Sequence, residues 1–179
     1  MLVAASLTDR QAFGLLYDRY VDAVYRYCYG RLGDREEAED ATSLIFARAL
    51  AALPTHRGAS FRSWLFAIAH NVVLNTRRGA CRAHSLTVVH EVVDPGPRLE
   101  DLAEDAERRR SVHSALAHLP EEQRRVVELR LAGLNGPEVA RVLGRSHESV
   151  RTTQRRALVR LRSLLGVAAA EEERLDSWG

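Results

Sequence analysis

The stretch LGRSHESVRTTQRRALVRLRSLL, from Leu143 to Leu165, leaves few architectures open. Val150, Ala157, Leu158, Leu161, Leu164 and Leu165 fall at helical spacing and draw one apolar stripe, so the segment is a helix with a face to bury. Its other side carries six arginines against a single acid between Arg145 and Arg162. Arg151 with Arg155, and Arg156 with Arg160, stand one turn apart, where like charges repel unless an anion lies between them. Arginine is also a good helix former, and a basic face can serve solubility alone. The preceding residues discriminate. LNGPEVARVLG reads as a short helix opened by Pro137, carrying Val139, Val142 and Leu143, and stopped by Gly144, after which Ser146 can cap the next helix. Short helix, glycine turn and longer basic helix is the helix-turn-helix pattern, whose second helix enters the DNA major groove. Arginines near its start can bond guanine in two places, and those farther along can neutralise phosphates.

Overall charge, +2, is uninformative, but its distribution is not. Residues 1–78 carry ten arginines against eight acids, 79–110 five against seven, 111–165 ten against five, and the last fourteen residues one against four. There is no lysine. The two cysteines, Cys28 and Cys81, lie far apart with no zinc-like spacing, so they read as reduced thiols, with Cys28 in a core. No signal-like start and no membrane-length apolar run is visible, which makes a cytoplasmic protein without membrane insertion the expectation.

Helical periodicity continues upstream. Thr8 and Gln11 have capping-box spacing ahead of Phe13, Leu16, Tyr17, Tyr20, Val24 and Tyr27, which predicts a helix from about Asp9 to Arg31. Gly33 and Asp34 break and recap the chain for an alanine-rich helix that Pro54 ends. Pro54 to Ser60 reads as a loop. In FRSWLFAIAHNVVLNTRR, Phe61, Leu65, Ile68 and Val72 form a stripe, while His70, Asn71, Asn75, Arg77 and Arg78 lie off it. Residues 79–106 contain Pro-Gly-Pro and a run of acids and read as a linker between independently moving domains, with Thr87 to Val93 the one candidate strand. Beyond it, Val112, Leu116 and Leu119, then Val127, Leu131 and Leu134, space two helices ahead of the helix-turn-helix. The acidic tail, 167–179, either prolongs the last helix or frays.

In ALAHLPEEQRRVVELRLAGLNGPEVARVLGRSHESVRTTQRRALVRLR, together with DREEAEDATSLIFARAL and FRSWLFAIAHNVVLNTRR, the chain resembles the extracytoplasmic-function sigma factors of bacterial RNA polymerase, over Phe13 to Leu165. The resemblance implies an all-α protein of two small helical domains joined by a flexible linker: a region-two domain of three or four helices in 1–78, the linker 79–106, and a region-four helix-turn-helix domain in 107–166. It implies contact of Arg145, Arg151, Thr152, Arg155 and Arg156 with the −35 promoter element. For the −10 element, where a non-template base is flipped out, it implies His56, Arg57, Gly58, Ala59, Ser60, Phe61, Trp64 and Asn71, with Asn75, Arg77 and Arg78 near the strand backbone. An unstacked base needs aromatic faces, amides and arginines to receive it. For Phe61 and Trp64 core packing is the competing reading. Asn71 and Asn75 are otherwise poor helix residues because their amides compete for the backbone.

Implied partners are core RNA polymerase, through the clamp of its large subunit and its flap, double-stranded and single-stranded promoter DNA, and an anti-sigma protein. The implied clamp contacts are Asp40, Ser43, Leu44 and Arg48. Ser43 and Leu44 depart from the family, which usually has Gln and an acid there; the missing carboxylate forgoes a charge-assisted hydrogen bond of about 1.5–3 kcal/mol. Asn75 stands where aspartate is common. No cofactor, metal or catalytic residue is expected, since no phosphate loop, metal-spaced set or nucleophile elbow appears. The competing reading is a conventional two-domain DNA-binding regulator with a helical sensor domain.

Overall fold

The computed structural model describes residues 10–56, 60–83 and 111–165, with side chains from residue 13 onward and, in the third helix, up to residue 79. All regular structure among them is helical: α1 Arg10–Leu32, α2 Arg35–Ala52, a 3-10 turn Leu53–Thr55, α3 Phe61–Ala83, α4 at 111–117, α5 Glu121–Leu131, α6 Gly136–Leu143 and α7 His147–Leu164. The Thr8 and Gln11 pair, most of the linker with its candidate strand, and the tail lie outside the described residues.

Local chemistry sets the breaks. Gly33 takes φ 79°, a conformation glycine adopts without strain, and its N–H closes α1 on the Tyr29 carbonyl at 2.9 Å. Asp34 then caps α2, accepting from the Glu37 N–H at 2.8 Å, with Glu36 and Glu37 favourably placed in the first turn. Small residues, Ala38, Ala41 and Ala49, let α2 approach its neighbours, and Ile45 and Phe46 fill the space between. Leu16, Val24, Tyr27 and Cys28 of α1 and Leu65, Phe66, Ala69, Val72 and Val73 of α3 complete this core. Burying side chains of this kind stabilises by about 1.5–3 kcal/mol each.

Two details of α3 differ from expectation. It runs through Gly79 to Ala83, beyond the point where composition suggests a linker. His70, which the periodicity places off the apolar stripe, is only 7% exposed, and its Nδ1 lies 3.1 Å from the Tyr27 hydroxyl. A second row of the helix is buried because α3 packs against α1, α2 and also α6.

In the C-terminal unit, Asn135 caps α6 in a reciprocal capping box with Glu138, so Gly136 opens the helix and Pro137 is second rather than first. Gly144 ends it at φ 63°, and Ser146 caps α7 by accepting from the Ser149 N–H. Val150 and Ala157 are buried and Leu158 and Leu161 half-buried. Leu164 and Leu165, expected on the core stripe, are 44% and 39% exposed.

The two units do not stand apart. Val126, Leu129, Leu134, Val139, Ala140 and Val150 belong to the same buried cluster as the core of α1–α3. A smaller cluster of Leu119, Val127 and Ala157 holds α5 to α7. The two helical units that the linker composition separates are thus in apolar contact here.

Candidate nucleic-acid interface

On α7, Arg151, Thr152, Arg155 and Arg156 are all exposed. Gly144 in the left-handed region and the Ser146 cap set the direction in which α7 starts. Arg151 meets Glu148 at 3.1 Å, but both side chains are over 70% exposed, so the pair contributes little and yields readily to another anion. Arg145 pairs with Glu122 in the first turn of α5.

At the start of α3 the aromatic residues converge. His56 and Trp64 rings lie 4.7 Å apart between centroids, Phe61 and Trp64 5.5 Å, and Tyr20 reaches Phe61 at 5.6 Å. Phe61 is buried, whereas Trp64 and His56 are half-buried. Of the two readings for these rings, Phe61 is a core residue that supports Trp64, and Trp64 keeps a free face. Tyr20 enters this cluster from α1; its apolar spacing marked it only as core. Arg57, Gly58 and Ala59 lie outside the described residues. Ser60 caps the helix, its Oγ accepting from the Ser63 N–H at 3.3 Å. Asn71, Asn75 and Arg78 are exposed along one side of α3, and Arg77 is half-buried. Asp40, Ser43, Leu44 and Arg48 are all exposed on a common side of α2, with Leu44 at 42%.

Sequence reading missed the contacts between the units, which unite residues far apart in the chain. Arg31, its side chain fully buried, donates to Glu121 at 2.5 Å and to Glu128 at 3.1 Å. Arg77 reaches Glu121 at 3.3 Å, and Arg124 and Arg125 converge on the same carboxylate from its own helix. Ser60 Oγ donates to Glu138 at 2.6 Å, Arg141 to Ser63 Oγ at 2.8 Å, and Arg62 to the Gly133 carbonyl at 2.6 Å. Burial alone would raise the Glu121 pKa, but the hydrogen bonds and charge of Arg31, with Arg125 and Arg124, outweigh it and hold the carboxyl well below its ordinary range. Glu128 is deeper, and burial pushes it up to about 7 despite Arg31 and Arg124. His70 is pushed down to about 4 by burial, then by Arg125 and Arg31. Burial likewise raises the Cys28 thiol to about 11, which leaves it unreactive at neutral pH. The Cys81 side chain lies outside those described.

No group of three His, Cys, Asp or Glu residues stands together as a metal site among the described residues, and no helix among them is long and apolar enough to cross a membrane. Residues 16–83 match the Sigma-70 region 2 family and residues 109–161 the Sigma-70 region 4 family. The chain is 38% identical over 171 residues to the ECF RNA polymerase sigma factor ShbA of Streptomyces griseus, across 87% of this chain and 88% of that protein. The chain belongs to the ECF sigma factors. Another ECF factor, BldN of Streptomyces coelicolor, is 36% identical over 167 residues; the match takes in 90% of this chain but 63% of BldN. The solved structure of CnrH in complex with the cytosolic domain of CnrY matches 94% of this ECF chain and 97% of its own, at 27% identity and a TM-score of 0.72. The sigma factor RpoE of Bartonella quintana, solved with the anti-sigma factor NepR, shares the fold at a TM-score of 0.73 and 21% identity.

Proposed function

We propose that this chain is a promoter-specificity subunit that binds core RNA polymerase, reads the −35 element through α7 and opens the −10 element at the start of α3. The observation that carries the reading is the coexistence of an exposed arginine edge on a capped helix-turn-helix with an aromatic cluster flanked by exposed amides and arginines. The first suits duplex DNA, and the second suits an unstacked base. Residues 1–78 form the polymerase and −10 unit, 79–106 the linker and 107–166 the −35 unit. Asp40, Ser43, Leu44 and Arg48 face the polymerase clamp, and region four meets the flap.

Arg151, Thr152, Arg155 and Arg156, with Arg145 at the turn, contact the −35 duplex. Trp64, backed by Phe61 and with His56, Ser60 and Asn71 around it, receives the flipped base; Asn75, Arg77 and Arg78 follow the strand backbone. Arg57, Gly58 and Ala59 are assigned to the same element by the family resemblance alone. The protein has no catalytic residues of its own and works in the cytoplasm on the polymerase it binds. An anti-sigma protein is its expected inhibitor, in keeping with the RpoE complex. Permanganate footprinting of promoter DNA with core polymerase tests the reading. Unpaired thymines are expected with the wild type and not with Trp64→Ala, which still protects the upstream duplex. Equal opening by Trp64→Ala would remove Trp64 from the base pocket.

A further inference from the structure

We propose that His147 is a further contact to the −35 duplex, seated on Gly136 so that its ring donates to a phosphate of the DNA backbone at the mouth of the helix-turn-helix. This role rests on the reading of α7 as the −35 edge. Gly136 is the first residue of α6 and His147 the first of α7. A Cβ on Gly136 would stand 2.5 Å from His147 Nε2 and 2.9 Å from its Cδ2, closer than side-chain carbons approach a neighbour. The imidazole therefore lies against bare backbone, and a glycine is what admits it. Backbone conformation supplies no other reason for glycine here, because Gly136 is not among the positive-φ residues Gly33, Gly133 and Gly144. Helix propensity argues against it, since alanine is the better helix residue.

The seat decides which side of the ring is offered. Its Nε2–Cδ2 edge faces Gly136, and Nδ1, the vertex opposite that edge, points away from it. His147 is exposed, and Nδ1 can carry the proton that a phosphate oxygen accepts. Its polar neighbours at the turn already have partners: Arg145 donates to Glu122, Ser146 accepts from the Ser149 N–H, and Glu148 accepts from Arg151. In a helix-turn-helix the first helix crosses the DNA backbone while the start of the second enters the groove. A ring lying across the first turns of both helices stands where the pair meets the strand, which suits a phosphate rather than a base edge. Packing one side of the ring on α6 also restricts its rotamers before DNA arrives, so less side-chain freedom is lost on binding.

The test is binding of the full chain to a short labelled DNA duplex of mixed sequence at low salt, read by fluorescence anisotropy, since a phosphate contact carries no sequence information. His147→Ala and Gly136→Ala are each expected to weaken binding about fivefold, the scale of one hydrogen bond. The added methyl group displaces only the tip of a flexible side chain, so Gly136→Ala is expected to melt no lower than the wild type. Because the glycine acts through the histidine, Gly136→Ala/His147→Ala is expected to bind no more weakly than His147→Ala alone. Additive losses, or wild-type binding by Gly136→Ala, would overturn the seat. Wild-type affinity in His147→Ala, with Arg155→Ala weakened, would overturn the contact and leave α7 as the DNA edge. Wild-type affinity in Arg155→Ala as well would overturn that reading of α7, and the role of His147 with it.

Discussion

Arg155 is exposed on the third turn of α7, one turn beyond Arg151, where a side chain meets a phosphate more readily than a base edge. Arg155→Ala is expected to weaken binding to −35 duplex and to lower the salt slope of that binding by about one unit. A salt titration with an unchanged slope would take Arg155 out of the phosphate contacts. Glu128 and His70 make opposed contributions to stability across mildly acidic pH. Glu128 is raised from 4.5 to about 7, so its contribution is full below 4.5 and is lost as pH rises through 7. His70 is lowered from 6.5 to about 4, so its contribution is full above 6.5 and is lost as pH falls toward 4. Between 4.5 and 6.5 the two offset each other, and the wild type is expected to vary little. Glu128→Gln leaves His70 uncompensated, and its urea midpoint is expected to fall as pH drops from 6.5 to 4.5; a level profile would mean that His70 is not held neutral.

The helices were legible because each is bracketed by residues with one local job. Gly33, Asp34, Pro54, Gly144 and Ser146 mark ends that follow from backbone chemistry, and the structure puts an end within a residue or two of each. Asn135 was not singled out, although it caps α6 through the better-formed box. Asn135→Ala is expected to cost about 1 kcal/mol in thermal or urea unfolding, with Asn135→Asp nearly neutral; no loss would mean that the cap is dispensable to the turn. His70 escaped because a single apolar stripe describes a helix with one neighbour, and α3 has several. The candidate site was proposed from residue type, and the contacts its neighbours make were not visible in the sequence. Nothing local in Arg31 or Glu121 announces a partner some ninety residues away. On α2, Leu44 is exposed and lies away from the core, so Leu44→Arg is expected to leave the melting temperature within about 2 °C and to weaken retention of core polymerase on gel filtration. Undiminished retention would move the clamp contact off this side of the helix.

Across the entire protein, two helical units read as separate from composition share one apolar core and a buried ion network, with the linker bridging units that already touch. In it the arginine edge of α7 and the side of α2 with Asp40, Ser43, Leu44 and Arg48 are exposed, while Ser60 and Arg77 at either end of α3 are engaged by Glu138 and Glu121. The arrangement also accounts for why the two DNA contacts need not be strong singly, since tethering through the polymerase raises their effective concentration. The central claim, that this ECF factor gives core polymerase its promoter choice, is tested most directly by run-off transcription from genomic fragments with purified core enzyme, with and without the protein. The expected result is a set of new transcripts whose start sites share upstream and downstream elements. No new transcript, with the protein binding duplex DNA alone and failing to co-elute with core polymerase, would contradict it.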